Sequence, residues 1–344
     1  MSKPTVHDIA KEAGVSLATV DRVLNSRPGV RDATIARVQG AVDRLGYVRD
    51  TTAANLARQR QYRFAYLLPE GPSQFASGLK AALKEANSEQ ITDRVMLRVL
   101  TVPANDPNRL VKAIRSLNPD HFDGIAMMVP ETPQVRDAVG RLKEAGLAVV
   151  AVVSDLPNSQ RDFFVGINNL AAGRTAASLL GRFTRMPGEV LVVTNSLRSR
   201  DSLERRLAFD DVISERFPHL TVLPTIESFD NHERLEQLVT ASIARRPNLR
   251  AAYSMGAGNA AVLNAVRKSG RAGDITVLAH ELTRATREGL LDHTLDAVIT
   301  QNVGHLVRSS IRVLRTLCDG LPIYEAQERV RIEIVLKENL PELT

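Results

Sequence analysis

Apolar positions recur three and four residues apart near the N-terminus, the spacing of one helical face. In "TVHDIAKEAG" that face is Val6, Ile9, Ala10 and Ala13. Thr5 stands as the N-cap with Asp8 three residues on, and Gly14 ends the helix by accepting left-handed backbone. Ser16 then caps a second helix over residues 17–25, in which Val20, Val23 and Leu24 point inward. A third runs from an N-cap at Asp32 to Leu45 with Ile35, Val38, Val42 and Leu45 as its stripe, and Gly46 stops it. Three short helices with a tight glycine-containing turn between the first two predict a helix-turn-helix. In that motif the second helix presents its N-terminal side chains to base edges in the major groove.

From Phe64 onward the period changes. The runs "FAYLLP", "VMLRVLTV", "GIAMMVP", "AVVAVV", "EVLVVT", "LTVLPTI", "AAYSM", "ITVLAH" and "DAVIT" read as strands. Amphipathic stretches such as "FASGLKAALKEAN" and "DPNRLVKAIRSL" lie between them. Strands apolar on both faces, alternating with helices, predict an α/β fold of parallel sheets covered by helices. So many strands predict two doubly wound sheets in two lobes, with a ligand cleft outside the carboxyl ends of the strands. The boundaries expected are a headpiece over 1–48, a linker over 49–61 and a two-lobed body over 62–344.

Charge sharpens the division. Residues 1–60 hold ten Lys and Arg against six Asp and Glu, a net +4 of the chain's +6, so the body is nearly neutral. A positive end on a neutral body points to a phosphate-bearing partner at that end. Cys318 is the single cysteine, which excludes an intramolecular disulfide and a cysteine metal cluster within one chain. The opening "MSKPTVHDIAKEAGVS" lacks the apolar core of a signal peptide, and no apolar run is long enough to span a membrane. A cytoplasmic protein without metal or cofactor is therefore expected.

The ordered motifs "VHDIAKEAGVS", "ATV-RVLN", "V-DATIARV", "LGY" and "AANLA" resemble the headpiece of the lactose/galactose repressor family along its whole length. The resemblance implies that Leu17 and Ala18 read bases at the start of the recognition helix and that Arg22 pairs with a guanine. It implies that Thr5, Ser16, Thr19 and Asn25 meet phosphate or hold the turn. "TTAANLARQR" takes the place of a hinge helix that pairs with its dimer mate on operator DNA. Leu56 would then wedge into the minor groove, with Ala53 and Ala57 letting the two helices approach. Two departures stand out. Arg49 replaces a proline that many members carry. Asp21 replaces a serine or threonine; it cannot meet a phosphate, and can instead accept from a cytosine or orient an arginine such as Arg22.

The body resembles the type I periplasmic sugar-binding fold, most specifically in "VVSDLPNSQRDFFVGINNLAAGRTAASLLG", "RDSLERRLAFDDVI" and "LAHELT". The resemblance implies a cleft holding a sugar, sugar acid or polyol effector, an N-terminal lobe completed by a late return of the chain, and three crossings between lobes. Ser73, Gln74 and Phe75 would line the cleft after the first strand. Asp155, Arg161 and Asn169 would follow the "VVSD" strand, and Gly256 and Asn259 the "AAYSM" strand. Arg205 is expected to bond hydroxyls, with Glu281 and Gln301 gripping the same ligand. The whole implies a homodimeric, ligand-responsive repressor binding a near-palindromic operator, not an enzyme. No heptad repeat near residue 344 argues for a larger assembly.

One motif competes. "AAYSMGAGNAAVLNAV" runs a strand into Gly256, Gly258 and Ala261, and Glu281 follows 23 residues after Gly258. On paper this is a dinucleotide fingerprint, which would make the chain a dinucleotide-sensing regulator or a nicotinamide-dependent enzyme. It falls late in the body, and the first strand-turn, "LLPEGPSQF", lacks it. The seven histidines are scattered without an H-E-x-x-H pair, so no metalloprotease site is indicated.

Overall fold

The computed structural model describes residues 4–24, 27–47, 60–89, 94–103, 105–256 and 258–342. The chain divides into two compact units, residues 1–60 and 61–344.

In the first unit, α1 is Val6–Ala13, α2 is Leu17–Leu24 and α3 is Asp32–Leu45. The Thr5 hydroxyl accepts from the Asp8 amide at 3.4 Å while the Asp8 carboxylate accepts from the Thr5 amide at 2.7 Å, a reciprocal capping box. Those bonds from Thr5 also hold the Asp8 carboxyl below the usual carboxylate range. Gly14 at φ 62° and Gly46 at φ 60° end α1 and α3 in left-handed backbone. Asp32 is not a cap: it is the first residue of α3, and Arg31 precedes it without a side-chain bond. Ile9, Ala13, Val20, Val38 and Ala41 form the core. Val6 and Ile35, read as part of the inward stripes, are 38% and 40% exposed, because so small a bundle buries only the centre of each face.

The second unit holds two sheets. The first contains β1 (Tyr62–Pro69), β2 (Val95–Val102), β3 (Gly124–Met127), β4 (Ala148–Val152) and β5 (Phe163–Val165), in the order β2-β1-β3-β4-β5 with every pairing parallel. The other contains β6 (Gly188–Thr194), β7 (Leu220–Val222), β8 (Ile226–Glu227), β9 (Leu249–Ser254), β10 (Thr276–His280), β11 (Ala297–Gln301) and β12 (Ile332–Val335). Its order is β12-β11-β10-β9-β6-β7, with β8 on the end of β6. The continuously buried strands "GIAM" and "AVVAV" are central, as both-face burial requires.

Three features differ from the sequence expectation. β5, three residues long, and β12 fall outside the strand runs read from the sequence, and β12 runs antiparallel to β11, so the second sheet is mixed rather than wholly parallel. "LTVLPTI" is two short strands, β7 and β8, with Pro224 in the break where no amide can join the ladder.

The helix Val303–Cys318 returns to the first sheet, where the Tyr66 and Ser310 hydroxyls bond at 2.7 Å and the Tyr62 hydroxyl donates to Asp319 at 2.8 Å. Sheet one gives way to sheet two after Val165, and the chain leaves and re-enters sheet two around this returning helix. The lobes are thus discontinuous in sequence and joined by three crossings. Among the described residues no helix is long and apolar enough to cross a membrane.

Candidate functional site

A cavity of about 490 Å³ opens at the carboxyl ends of both sheets, within the size range of small-molecule sites. Its walls are the segments that leave the strands. Ser73, Gln74 and Phe75 follow β1, Met128 follows β3, Ser154 follows β4, Ser196 follows β6, Met255 and Gly256 follow β9, and Glu281 follows β10. A site at strand carboxyl ends is what doubly wound sheets favour.

Arg205 forms the floor. It projects from the helix Arg200–Arg216, is 1% exposed, and is the bulkiest fully buried side chain among those described. Its Nε donates to Asn169 Oδ1 at 2.9 Å and its Nη1 to the Met255 carbonyl at 3.0 Å. Nη1 also lies 3.9 Å from Asp201, and Nη2 lies 3.6 Å from Glu281 Oε1. Gln301 Nε2 donates to that same Oε1 at 3.0 Å. Four buried atoms of this cluster have no hydrogen-bond partner: Arg205 Nη2, Glu281 Oε2, Gln301 Oε1 and, behind them, His280 Nδ1. Burial pushes the Glu281 carboxyl up, partly offset by the Arg205 charge. Burial likewise holds His280 well below its ordinary value and therefore neutral; its Nε2 lies 2.7 Å from the Tyr253 hydroxyl.

Arg205 reaches this place because two helices nearly touch. A Cβ on Gly173, in the helix Asn169–Phe183, would lie 2.3 Å from the Arg205 carbonyl, so only glycine lets the backbones approach. Three of the six non-glycine residues described with left-handed backbone lie at the same end of the fold. Val153 at φ 66°, Asp230 at φ 63° and Glu281 at φ 71° all line the cavity in left-handed backbone, a conformation costing about 1–3 kcal/mol each in non-glycine residues. The cleft is bridged at its mouth, where Asn105 Nδ2 donates to Asp230 at 2.5 Å and the Ala285 amide donates to Gln74 Oε1 at 3.3 Å.

Of the residues nominated from sequence, Ser73, Gln74, Phe75, Arg205, Gly256, Asn259 and Glu281 line the cavity. Asn169 and Gln301 stand one layer behind it, orienting Arg205 and Glu281. Asp155 and Arg161 do not line it; they form an ion pair with each other, and Arg161 Nη2 donates to Asp155 Oδ2 at 2.7 Å. The sequence reading missed Ser154, Asp201 and Asp230. Asp201 had a signal, since it lies one helical turn before Arg205 and so shares its face.

The fingerprint glycines have local reasons: Gly256 takes φ 134°, a backbone conformation that side chains oppose, and Gly258 is also closely packed. Gly258 sits at φ 103° and a Cβ there would lie 2.4 Å from Leu235 Cδ2, while Asn259 bonds the His280 carbonyl at 2.8 Å. Close packing of a strand-helix turn thus accounts for the pattern without a pyrophosphate.

In the first unit, Leu17, Ala18, Asp21 and Arg22 are exposed on α2. The Ser16 hydroxyl accepts from the Thr19 amide at 3.2 Å and bonds the Thr19 hydroxyl at 2.9 Å, so both hold the turn. Asp21 carries an ion pair to Arg27 at 3.2 Å, a partner other than the Arg22 that the sequence suggests. Asn25, Ala53, Leu56 and Ala57, with residues 49–59 of the linker, lie outside the described residues.

Comparison with known proteins agrees with both units. Residues 64–322 match the family described as periplasmic binding protein domain, and residues 5–50 match bacterial regulatory proteins, lacI family. The transcriptional regulator DegA of Bacillus subtilis is 26% identical over 180 residues, covering 52% of each chain. Catabolite control protein A of Priestia megaterium is 28% identical over 153 residues, 44% of this chain and 43% of that one. The chain thus spans about half the length of the curated relatives it matches. Among solved structures, a glucose-galactose binding protein of Geobacillus stearothermophilus superposes with a TM-score of 0.73 at 18% identity, over 82% of this chain and 100% of that one. A solute-binding protein of Burkholderia graminis in complex with D-arabinose gives 0.73 at 23%, over 83% and 98%. With a helix-turn-helix unit and a two-lobed body each matching in its own right, the chain belongs to the LacI family of bacterial regulatory proteins and carries a periplasmic binding protein domain.

Proposed function

We propose that the protein is a DNA-binding transcription regulator, acting as a repressor, whose operator affinity is set by a small polyhydroxylated effector in the cleft. The observation that carries the reading is the buried pair Arg205 and Glu281. Each keeps one polar atom without a hydrogen bond at a cavity floor, in a chain that also has an exposed helix-turn-helix. Buried unpartnered donors and acceptors are costly, and a ligand hydroxyl that donates to one and accepts from the other removes that cost. Phe75 offers an apolar face to a sugar ring.

The regulator works as a cytoplasmic homodimer, one headpiece per half-site of double-stranded operator. Arg22 reads a guanine, Leu17 and Ala18 contact thymine methyls, and Leu56 enters the minor groove. If effector favours the state in which the hinge segments cannot pair, the operator is released, and by linkage operator must then weaken effector binding by the same factor. A corepressor would act in the opposite sense.

The test is a thermal-shift panel of monosaccharides, polyols and their acids, followed by operator release with each hit. A hit that raises the melting temperature and releases operator supports the reading. A stable monomer at micromolar concentration, or hits that leave operator binding unchanged, would refute it.

A further inference from the structure

The charges of the cleft narrow the chemistry of its ligand. Four carboxylates line it, Glu70, Asp201, Asp230 and Glu281, against two guanidinium groups, Arg198 and Arg205. Glu70 has a counter-ion outside the cavity, Arg109 at 4.0 Å. Asp230 is bonded by a neutral group, the amide of Asn105. Arg198 is exposed, where water and salt screen it. The deep end therefore belongs to Arg205, and two carboxylates share that one cation: Asp201 at 3.9 Å and Glu281 at 3.6 Å. His280, packed behind, is neutral and adds no positive charge.

We infer that the cleft selects an uncharged, hydroxyl-donating ligand and excludes sugar acids and sugar phosphates, a conclusion that rests on the cleft being an effector site. An incoming carboxylate or phosphate dianion only accepts hydrogen bonds. At the floor it competes with Asp201 and Glu281 for Arg205 and leaves Glu281 Oε2 without a donor. Like charges in a buried site repel strongly, since little water is present to screen them. A hydroxyl donates to Glu281 Oε2, and its oxygen accepts from Arg205 Nη2, so an adjacent pair of hydroxyls supplies the hydrogen bonds these two atoms lack. The raised Glu281 carboxyl agrees: burial is the largest cause, and the nearby Asp201 charge adds to it, so the floor already resists the negative charge it holds.

The experiment uses the full chain and matched pairs that differ in charge. These are D-galactose with D-galacturonate, and D-glucose with D-glucuronate and with D-glucose 6-phosphate, all of which keep the sugar ring. Affinities are read by titration calorimetry. Wherever one member binds, the neutral sugar is expected to bind about 100-fold or more tightly than its anion. Glu281→Gln is expected to narrow that ratio to about tenfold by removing one of the repelling charges. Asp201→Asn provides the same comparison if the Glu281 variant does not fold. An anion that binds as well as its neutral partner overturns the inference and leaves the effector site standing. If no member of any pair binds, the effector reading falls as well.

Discussion

Replacing Arg205 with leucine tests whether the floor is a coupled ionic unit. The guanidinium is 1% exposed, and Glu281, its partner at 3.6 Å, is 4% exposed. Removing one member of a buried pair leaves the other charge uncompensated and typically costs about 3–5 kcal/mol. The Asn169 carboxamide oxygen and the Met255 carbonyl also lose donors, so the upper part of that range is expected. For a unit of this size the melting temperature should fall by roughly 6–15 °C. Glu281→Leu should cost a similar amount, since Asp201 at 3.9 Å is a poor substitute partner. The double variant removes both charges, and its loss should be smaller than the sum of the single losses by about 2 kcal/mol or more. Denaturant unfolding of all four proteins at pH 7 measures the cycle. Additivity within about 0.5 kcal/mol would mean that the two side chains do not act as a pair, and the account of the floor would be wrong.

Three further predictions rest on single interactions. The Glu281 carboxyl is raised in the folded chain, so its stabilising contribution is complete below the ordinary glutamate value of 4.5 and is lost as pH rises through the folded value. Wild type should therefore lose stability relative to Glu281→Gln as pH rises above 4.5, and a difference that is flat with pH would refute this. Gly173→Ala places a Cβ 2.3 Å from the Arg205 backbone and should destabilise by about 1–3 kcal/mol, whereas Gly140→Ala, whose Cβ meets only a side chain at 3.7 Å, should be tolerated; equal melting temperatures would contradict the close approach. Asp21→Ser removes a negative charge from the exposed face of α2 and frees Arg27 from its ion pair. Filter binding to random-sequence DNA should show tighter association and a salt slope steeper by about 0.9 for each additional phosphate neutralised. Complete loss of operator binding would instead identify Asp21 as a base reader.

Much of this architecture was legible because periodicity carries it. Buried central strands are apolar on both faces, and "AVVAV" and "GIAM" admit no other reading once helices flank them. The caps at Thr5, Gly14 and Gly46 were legible for a similar reason, since few residue types satisfy those backbone geometries. What escaped has weak local signals. β5 and β8 have three and two residues, too few for a period, and β12 is held by pairing with a strand distant in sequence. Val6 and Ile35 follow the helical stripe faithfully, but burial depends on bundle size, which periodicity does not report.

The site shows where sequence reasoning meets a physical boundary. Strand ends were identified correctly, yet which residue of each end faces the cavity depended on backbone that the side chains oppose. After β4, Val153 turns into φ 66°, and the Ser154 amide donates to the Val152 carbonyl at 2.7 Å, closing a three-residue turn. That turn brings Ser154 into the cavity wall, while Asp155 lies beyond it, paired with Arg161. A β-branched residue is among the least suited to left-handed backbone, so nothing in "VVSD" announces the turn. The conformation persists because its surroundings enforce it: the Val153 amide donates to Val165, and Asn169, which also holds Arg205, donates to the Val153 carbonyl at 3.4 Å. Asn169 therefore couples the strained turn to the floor. Glu281 reaches the floor through the same left-handed backbone at the end of β10. Two strained strand ends, one from each sheet, converge on one arginine.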